Sequence, residues 1–218
     1  DRIDLLLLHR PNPEIPIAES LEALDRLVRD GKVRFVGTSG FKAWQILESL
    51  WTSHERELVS FRLESAVYSL LCRWPEIELI PLLRTAGMGL SVWSPLGAGA
   101  LSDRYSRANP PAHTELTERE WRILEAVQAI ARDHGCTASQ VALAWCLGRP
   151  GVTTVLAGPR THEQLLDNLG ALDVSLTDAD LAQLDELAPP GWTARPRWFG
   201  LETGAPHPRG LPGERTEA

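Results

Sequence analysis

Short apolar runs of strand length alternate with stretches of helical period along most of the chain, and this alternation limits the fold more than any other feature. Ile3 to Leu8 is a continuous apolar run ending at His9, and such a run reads as a strand buried on both faces. Further strands are predicted at Val33 to Gly37, Leu58 to Leu63, Gly89 to Trp93 and Thr153 to Ala157. Between them, apolar residues recur every three or four positions: Ile17, Leu21, Leu24, Leu27 and Val28 in one segment, Trp44, Ile46, Leu47, Leu50 and Trp51 in the next. That spacing gives a helix one apolar face. A third helix is predicted from Pro75 through Ile77, Ile80, Leu83 and Arg84 to Gly87, with proline suited to the first turn. Strands that alternate with helices imply a parallel sheet with helical cover.

Helix starts are marked in the second half of the chain. Thr117 with Glu120, Thr137 with Gln140, Thr161 with Gln164 and Thr177 with Asp180 each place a hydroxyl three residues before a side chain that can reach back, the capping-box pattern. The helix from Thr161 carries Leu165, Leu166 and Leu169 on one face. Before it, Gly158 and Pro159 break the last strand and Arg160 precedes the cap. A strand, a turn, a cation and a helix N-terminus make a place for a phosphate, because exposed N–H groups and the helix dipole both favour an anion there. An ordinary βα turn with a solvated arginine is the other reading of the same residues.

Two architectures place ligands at the carboxyl ends of parallel strands, the doubly wound sheet and the (β/α)8 barrel. No early Gly-x-Gly-x-x-Gly turn is followed about twenty residues on by an acidic residue, so the doubly wound dinucleotide fingerprint is absent. The 218 residues suffice for one domain with a core. We expect that domain over residues 1–188, with an irregular tail over 189–218 rich in Pro, Gly, Arg and Trp. A net charge of −7 argues against nucleic acid as a partner, and no apolar run approaches the length of a membrane span. Cys72, Cys136 and Cys146 are odd in number and lack metal-ligand spacing, which fits free thiols in a reducing, cytoplasmic compartment. The row opens on Asp1 and its single methionine is Met88, so sequence upstream is expected.

Taken together, the strand ends resemble the aldo-keto reductase family. Asp1-Arg2-Ile3-Asp4-Leu5-Leu6-Leu7-Leu8-His9 is similar to the fourth barrel strand of that family, which ends in its catalytic histidine, and Gly31 to Ser39 is similar to the fifth. Val92-Trp93-Ser94-Pro95-Leu96-Gly97 resembles the seventh strand and the loop after it; Ala157-Gly158-Pro159-Arg160-Thr161 through Gln164 and Asn168 resembles the cofactor-binding turn and helix. The resemblance implies a (β/α)8 TIM barrel, incomplete here because it covers strands four to eight. Complete barrels of this kind typically run to about 250 residues. By the same resemblance the catalytic tyrosine, lysine and aspartate of the family belong to the earlier units, and only the histidine, His9, is present.

The resemblance implies an NADP(H) cofactor, a small carbonyl or alcohol substrate, and a role for each matching residue. His9 orients the carbonyl, since a neutral imidazole donates from one nitrogen while the other accepts. Trp93 stacks on the nicotinamide, and Ser39 bonds its carboxamide. Ser94, Pro95, Leu96, Gly97 and Gly99 form the pyrophosphate loop, where residues without Cβ let backbone N–H groups approach. In the turn that opens with Gly158, also cofactor-binding, Arg160, aided by Thr161, meets a 2′-phosphate, which favours NADP over NAD. Gln164 and Asn168, four apart on one helix face, meet the adenine. Two positions depart from the family: Gly40 stands where it commonly has Asn after the serine, and Ser65 where it has Gln. They leave room for a second expectation, a cofactor-binding regulatory or redox-sensing subunit with little turnover. A third is a five-stranded piece with raw edges and no activity alone. The tail aromatics Trp192, Trp198 and Phe199 either line a substrate pocket or stay irregular.

Overall fold

Five parallel strands lie side by side in chain order: β1 (Ile3–His9), β2 (Val33–Ser39), β3 (Leu63–Val67), β4 (Gly89–Trp93) and β5 (Val152–Val155). The computed structural model describes residues 1–112 and 115–194. A doubly wound sheet reverses its strand order at a switch point, whereas a βα barrel adds each strand beside the last. The order seen here is therefore that of a barrel wall. Parallel neighbours need a return crossover, supplied by α1 (Ile17–Arg29), α2 (Ala43–Glu55), α3 (Leu79–Thr85) and the pair α4 (Glu118–Asp133) and α5 (Ala138–Leu147). After β5 come α6 (His162–Leu169) and α7 (Asp178–Leu187). Among these helices none is long and apolar enough to cross a membrane.

The core lies between sheet and helices. Leu21 and Leu24 of α1, Ile46 of α2, Leu79 and Leu83 of α3 and Val141 of α5 pack in one cluster with Val36, Ala66, Leu90 and Val92 of the strands. The capping signals at three helices are realised in full: Thr117, Thr137 and Thr177 each form a reciprocal box with the residue three further on. At α6 the box is displaced. Thr161 Oγ1 accepts the Gln164 N–H at 3.2 Å, but the Gln164 carbonyl accepts the N–H of Arg160 at 2.8 Å rather than that of Thr161.

Several expectations are corrected. β1 is not buried on both faces: Leu5 and its ladder partner Phe35 are 38% and 45% exposed, because β1 is an edge strand and no described element covers this face of the sheet, which also leaves Phe35 open on β2. β5 ends at Val155 and exposes Thr153 and Thr154 for the same reason, being the opposite edge. The leucines of α6 form a stripe that nothing described covers, with Leu166 57% exposed. β3 begins where its prediction ended. The charge of Glu64 argued against a strand there, yet Glu64 is buried and hydrogen-bonded. The helix expected from Pro75 is split into a 3-10 turn over Trp74–Glu76 and α3, which starts at Leu79.

Beyond α7 the chain stays on the body. The Arg73 N–H donates to the Trp192 carbonyl at 2.8 Å, and the Ala194 N–H to Leu71 at 2.9 Å. Trp192 docks under the Arg119 guanidinium, 4.7 Å from its ring centroid. Trp198 and Phe199 lie outside the described residues.

Candidate functional site

The carboxyl ends of the strands bring the expected residues together in two groups. The first is a row along the sheet end. His9 is the ladder partner of Ser39, Ser39 of Ser65, and Ser65 of Ser91; Trp93 pairs with Val67 one step further along. Alternate residues of a strand point to one face, so His9, Ser39, Ser65, Ser91 and Trp93 share the face away from the helices. His9 is exposed, and the backbone turns sharply after it, with Arg10 at φ +97°.

Glycines let the strands close on one another below this row. A Cβ on Gly37 would lie 2.5 Å from the Leu63 carbonyl oxygen and 2.6 Å from Leu7 Cδ2, distances that real side chains do not reach. A side chain there would spread the strands that hold His9 and Ser39 in register.

The second group lines a cleft of about 870 Å³ between the loop after β4 and the turn that leads into α6. Ser94, Pro95, Leu96 and Gly99 border it from one side, Gly158, Arg160, Gln164 and Asn168 from the other. The loop after β4 is strongly curved, with positive φ at Ser94, Gly97, Ala98 and Gly99. Its amides, however, are engaged inside the loop. Gly97 donates to the Ser94 carbonyl, Ala98 to Ser94 Oγ and Gly99 to the Leu96 carbonyl, each at 3.0 Å. Gly97 is buried, and a Cβ there would meet Leu71 Cδ1 at 2.8 Å. Packing on Leu71, rather than the approach of a ligand, accounts for that glycine.

Cationic side chains also border the cleft. Arg104, which the sequence reading passed over, lines the cleft with Arg160. The aliphatic and aromatic residues around it gave no periodic signal; its only mark was a position eleven residues past the end of β4. Its guanidinium lies 5.4 Å from the ring of Tyr105. Two acids also border the cleft, and both are committed elsewhere. Asp103 accepts the Ala138 N–H at the start of α5 at 2.8 Å, and Asp167 accepts from Gln140 Nε2 and Thr137 Oγ1, both at 3.2 Å. Among the described residues no ion pair involves Arg104 or Arg160. Two cations without carboxylate partners, beside acids already satisfied, make a cleft suited to a polyanion. Gln164 enters it with its carbonyl held by Arg160, leaving the amide nitrogen as its remaining donor group.

Comparison with known proteins places the chain in a family. Residues 1–189 match the model of the Aldo/keto reductase family. The chain is similar to a Bacillus subtilis (strain 168) protein named uncharacterized oxidoreductase YrpG, at 34% identity over 87% of this chain and 59% of that one. It is also similar to proteins named probable voltage-gated potassium channel subunit beta, from Oryza sativa subsp. japonica at 32% identity and Arabidopsis thaliana at 31%, each over 80% of this chain and 57% of theirs. The chain thus spans less than two thirds of the length of these relatives.

Proposed function

Because the chain belongs to the aldo/keto reductase family, we propose that the full-length protein is an NADP(H)-dependent oxidoreductase that interconverts aldehydes or ketones with the matching alcohols. The observation that carries this reading is the cleft in which, among the described residues, Arg104 and Arg160 have no carboxylate partner while Asp103 and Asp167 accept hydrogen bonds from the start of α5. A dinucleotide with a 2′-phosphate needs cations that are free to pair with it. Arg160 and the Thr161 hydroxyl take the 2′-phosphate, where a bidentate guanidinium is strong. Arg104 takes the pyrophosphate beside the Ser94 to Gly99 loop. The Gln164 amide nitrogen and Asn168 take the adenine. Trp93 offers a ring face to the nicotinamide and Ser39 a hydroxyl to its carboxamide.

When bound, the cofactor supplies or accepts hydride. His9, at the end of β1, donates a hydrogen bond to the substrate carbonyl oxygen and fixes its orientation. We place β1 to β5 as the fourth to eighth strands of a (β/α)8 barrel. In that placement the proton-donating tyrosine, with its lysine and aspartate, comes from earlier strands. The apolar residues left uncovered on the face of the sheet away from the helices, Leu5 and Phe35, and the exposed Leu166 on α6 support closure by further units. Free cysteines at Cys72, Cys136 and Cys146 support a cytoplasmic location.

The test is a fluorescence titration of the tryptophans with NADPH and NADH, followed by turnover of the full-length protein with a panel of small aldehydes. Saturable binding that favours NADPH, with turnover, supports the oxidoreductase. Binding without turnover supports the second reading, a redox-sensing regulatory subunit, favoured by Gly40 and Ser65 at the two positions where the family carries amide side chains. No binding removes both.

A further inference from the structure

Glu64 lies fully buried in β3, with Thr38 of β2 and Leu90 of β4 as its ladder partners. Strand alternation sets it on the opposite face from Ser65, behind the sheet-end row. Its Oε1 accepts the Phe41 N–H at 3.1 Å. Its Oε2 and the Thr38 hydroxyl are both buried and have no other partner among the described residues. Buried polar groups are costly when unpaired, and a hydroxyl donor opposite a carboxyl oxygen satisfies both with a small adjustment of Thr38.

The segment held this way is Ser39–Gly40–Phe41, the turn from β2 into α2. It is tied twice to β3, by Phe41 to Glu64 and by the Gly40 N–H to the Ser65 carbonyl at 3.1 Å. Gly40 holds the turn through its backbone N–H alone. It has no side chain, is exposed, and adopts φ +73° with no atom nearer than 3.8 Å to the place of a Cβ. Glycine is the residue whose backbone is hardest to order, so a turn built on it needs an external hold. A carboxyl at the entrance to α2 also meets the positive end of that helix.

We propose that Glu64 is a positioning residue for the nicotinamide end of the cofactor site, fixing the Ser39–Gly40–Phe41 turn from behind so that the Ser39 hydroxyl is presented at the sheet end. The proposal rests on the reading of Ser39 as the carboxamide contact. Burial pushes the Glu64 carboxyl up to about 7 against the hydrogen bonds that favour its ionised form. The Phe41 N–H keeps an acceptor in either protonation state, since the neutral acid retains a carbonyl oxygen.

The test measures the affinity of the full-length protein for NADPH and for 2′-phospho-ADP-ribose, which lacks the nicotinamide. Glu64→Ala is expected to weaken NADPH about tenfold, the scale of one buried hydrogen bond lost, and to leave 2′-phospho-ADP-ribose within about twofold. Glu64→Gln keeps an acceptor for Phe41 and is expected to restore NADPH to within about threefold of the wild type. If Glu64→Ala does not accumulate folded, Glu64→Asp takes its place, withdrawing the carboxylate by one methylene with the charge kept. Equal weakening of both ligands, or no weakening of NADPH, overturns the proposal. Ser39→Ala reports on the underlying reading alone: if it binds NADPH as the wild type does, that reading fails. A sensitive Ser39 beside an insensitive Glu64 removes only the proposal made here.

Discussion

Gln164 Oε1 accepts the backbone N–H of Arg160 at 2.8 Å, so the first turn of α6 and the arginine before it move as one piece. The guanidinium of Arg160 borders the cleft with no carboxylate competing for it among the described residues. Arg160→Ala is expected to weaken NADPH by about ten- to a hundredfold, as loss of a charge-assisted contact does, and NADH hardly at all. Parallel titrations of the two cofactors read this directly. Equal losses would remove the 2′-phosphate assignment and leave Arg160 as a general attractor of anions.

Arg104 approaches the same cleft from the loop after β4, on the far side from α6. A contact to the pyrophosphate is common to both cofactors. Arg104→Ala should therefore weaken NADPH and NADH by similar factors, on the order of tenfold. Preference for NADPH should be unchanged. A loss confined to NADPH would instead assign Arg104 to the 2′-phosphate beside Arg160.

The contrast between these two arginines shows what was legible in the row of residues. Arg160 follows a strand and precedes a helix cap, and each neighbour has a local signature, so the turn could be read directly. Arg104 lies in an irregular loop, and only the folded path of that loop brings it opposite Arg160. The strand ends were legible in part: the apolar run gave β4 through Trp93 in full, while β2 runs two residues past the expected Gly37, to Ser39, a position marked by the family resemblance. β3 was misplaced because a buried carboxylate reads as a surface residue until its hydrogen-bond partners are known. The edge strands were read as buried, and the apolar face of α6 was seen without its exposure, because a pattern of apolar residues reports which face is apolar, and not whether anything covers it. The loop glycines were legible as glycines but not in their reasons, since Gly97 answers to Leu71 across the fold.

Glu64 also makes stability depend on pH, with a definite sign. Burial raises its carboxyl from 4.5 to about 7 in the folded chain. Between these values the folded state holds a proton that the unfolded state has released, so stability is fully present below the lower value and is lost as pH rises through the upper. At about 1.4 kcal/mol per unit the loss amounts to roughly 3 kcal/mol. Urea unfolding of the wild type and Glu64→Gln between pH 5 and pH 8 isolates the effect, because glutamine does not titrate. The advantage of the wild type over the variant should shrink steadily across that range. A difference that stays constant with pH would show that Glu64 is ionised in the fold throughout.

Arg73 is the charged side chain on which the far end of the molecule depends. It is 1% exposed, and its guanidinium makes two 2.8 Å bonds to Glu76, one of 2.6 Å to Asp185, and one to the Ala188 carbonyl. It also lies over the ring of Trp145, 5.1 Å from the centroid. These contacts join the exit of β3 to α5, α7 and the chain beyond. Glu76 in turn accepts the Tyr68 hydroxyl at 2.6 Å. Arg73→Ala would leave the half-buried carboxylates of Glu76 and Asp185 short of a partner, and breaking a buried pair costs about 3–5 kcal/mol. Arg149 still reaches Asp185 at 2.9 Å, which places the expected loss toward the lower end of that range. Arg73→Lys should recover little, because an ammonium cannot reproduce the planar fork that serves Glu76, Asp185 and the carbonyl together. Denaturant midpoints of the two variants test the argument. If both unfold with the wild type, the network is held by Arg149 and the backbone; if lysine restores the midpoint in full, charge alone accounts for the role of Arg73.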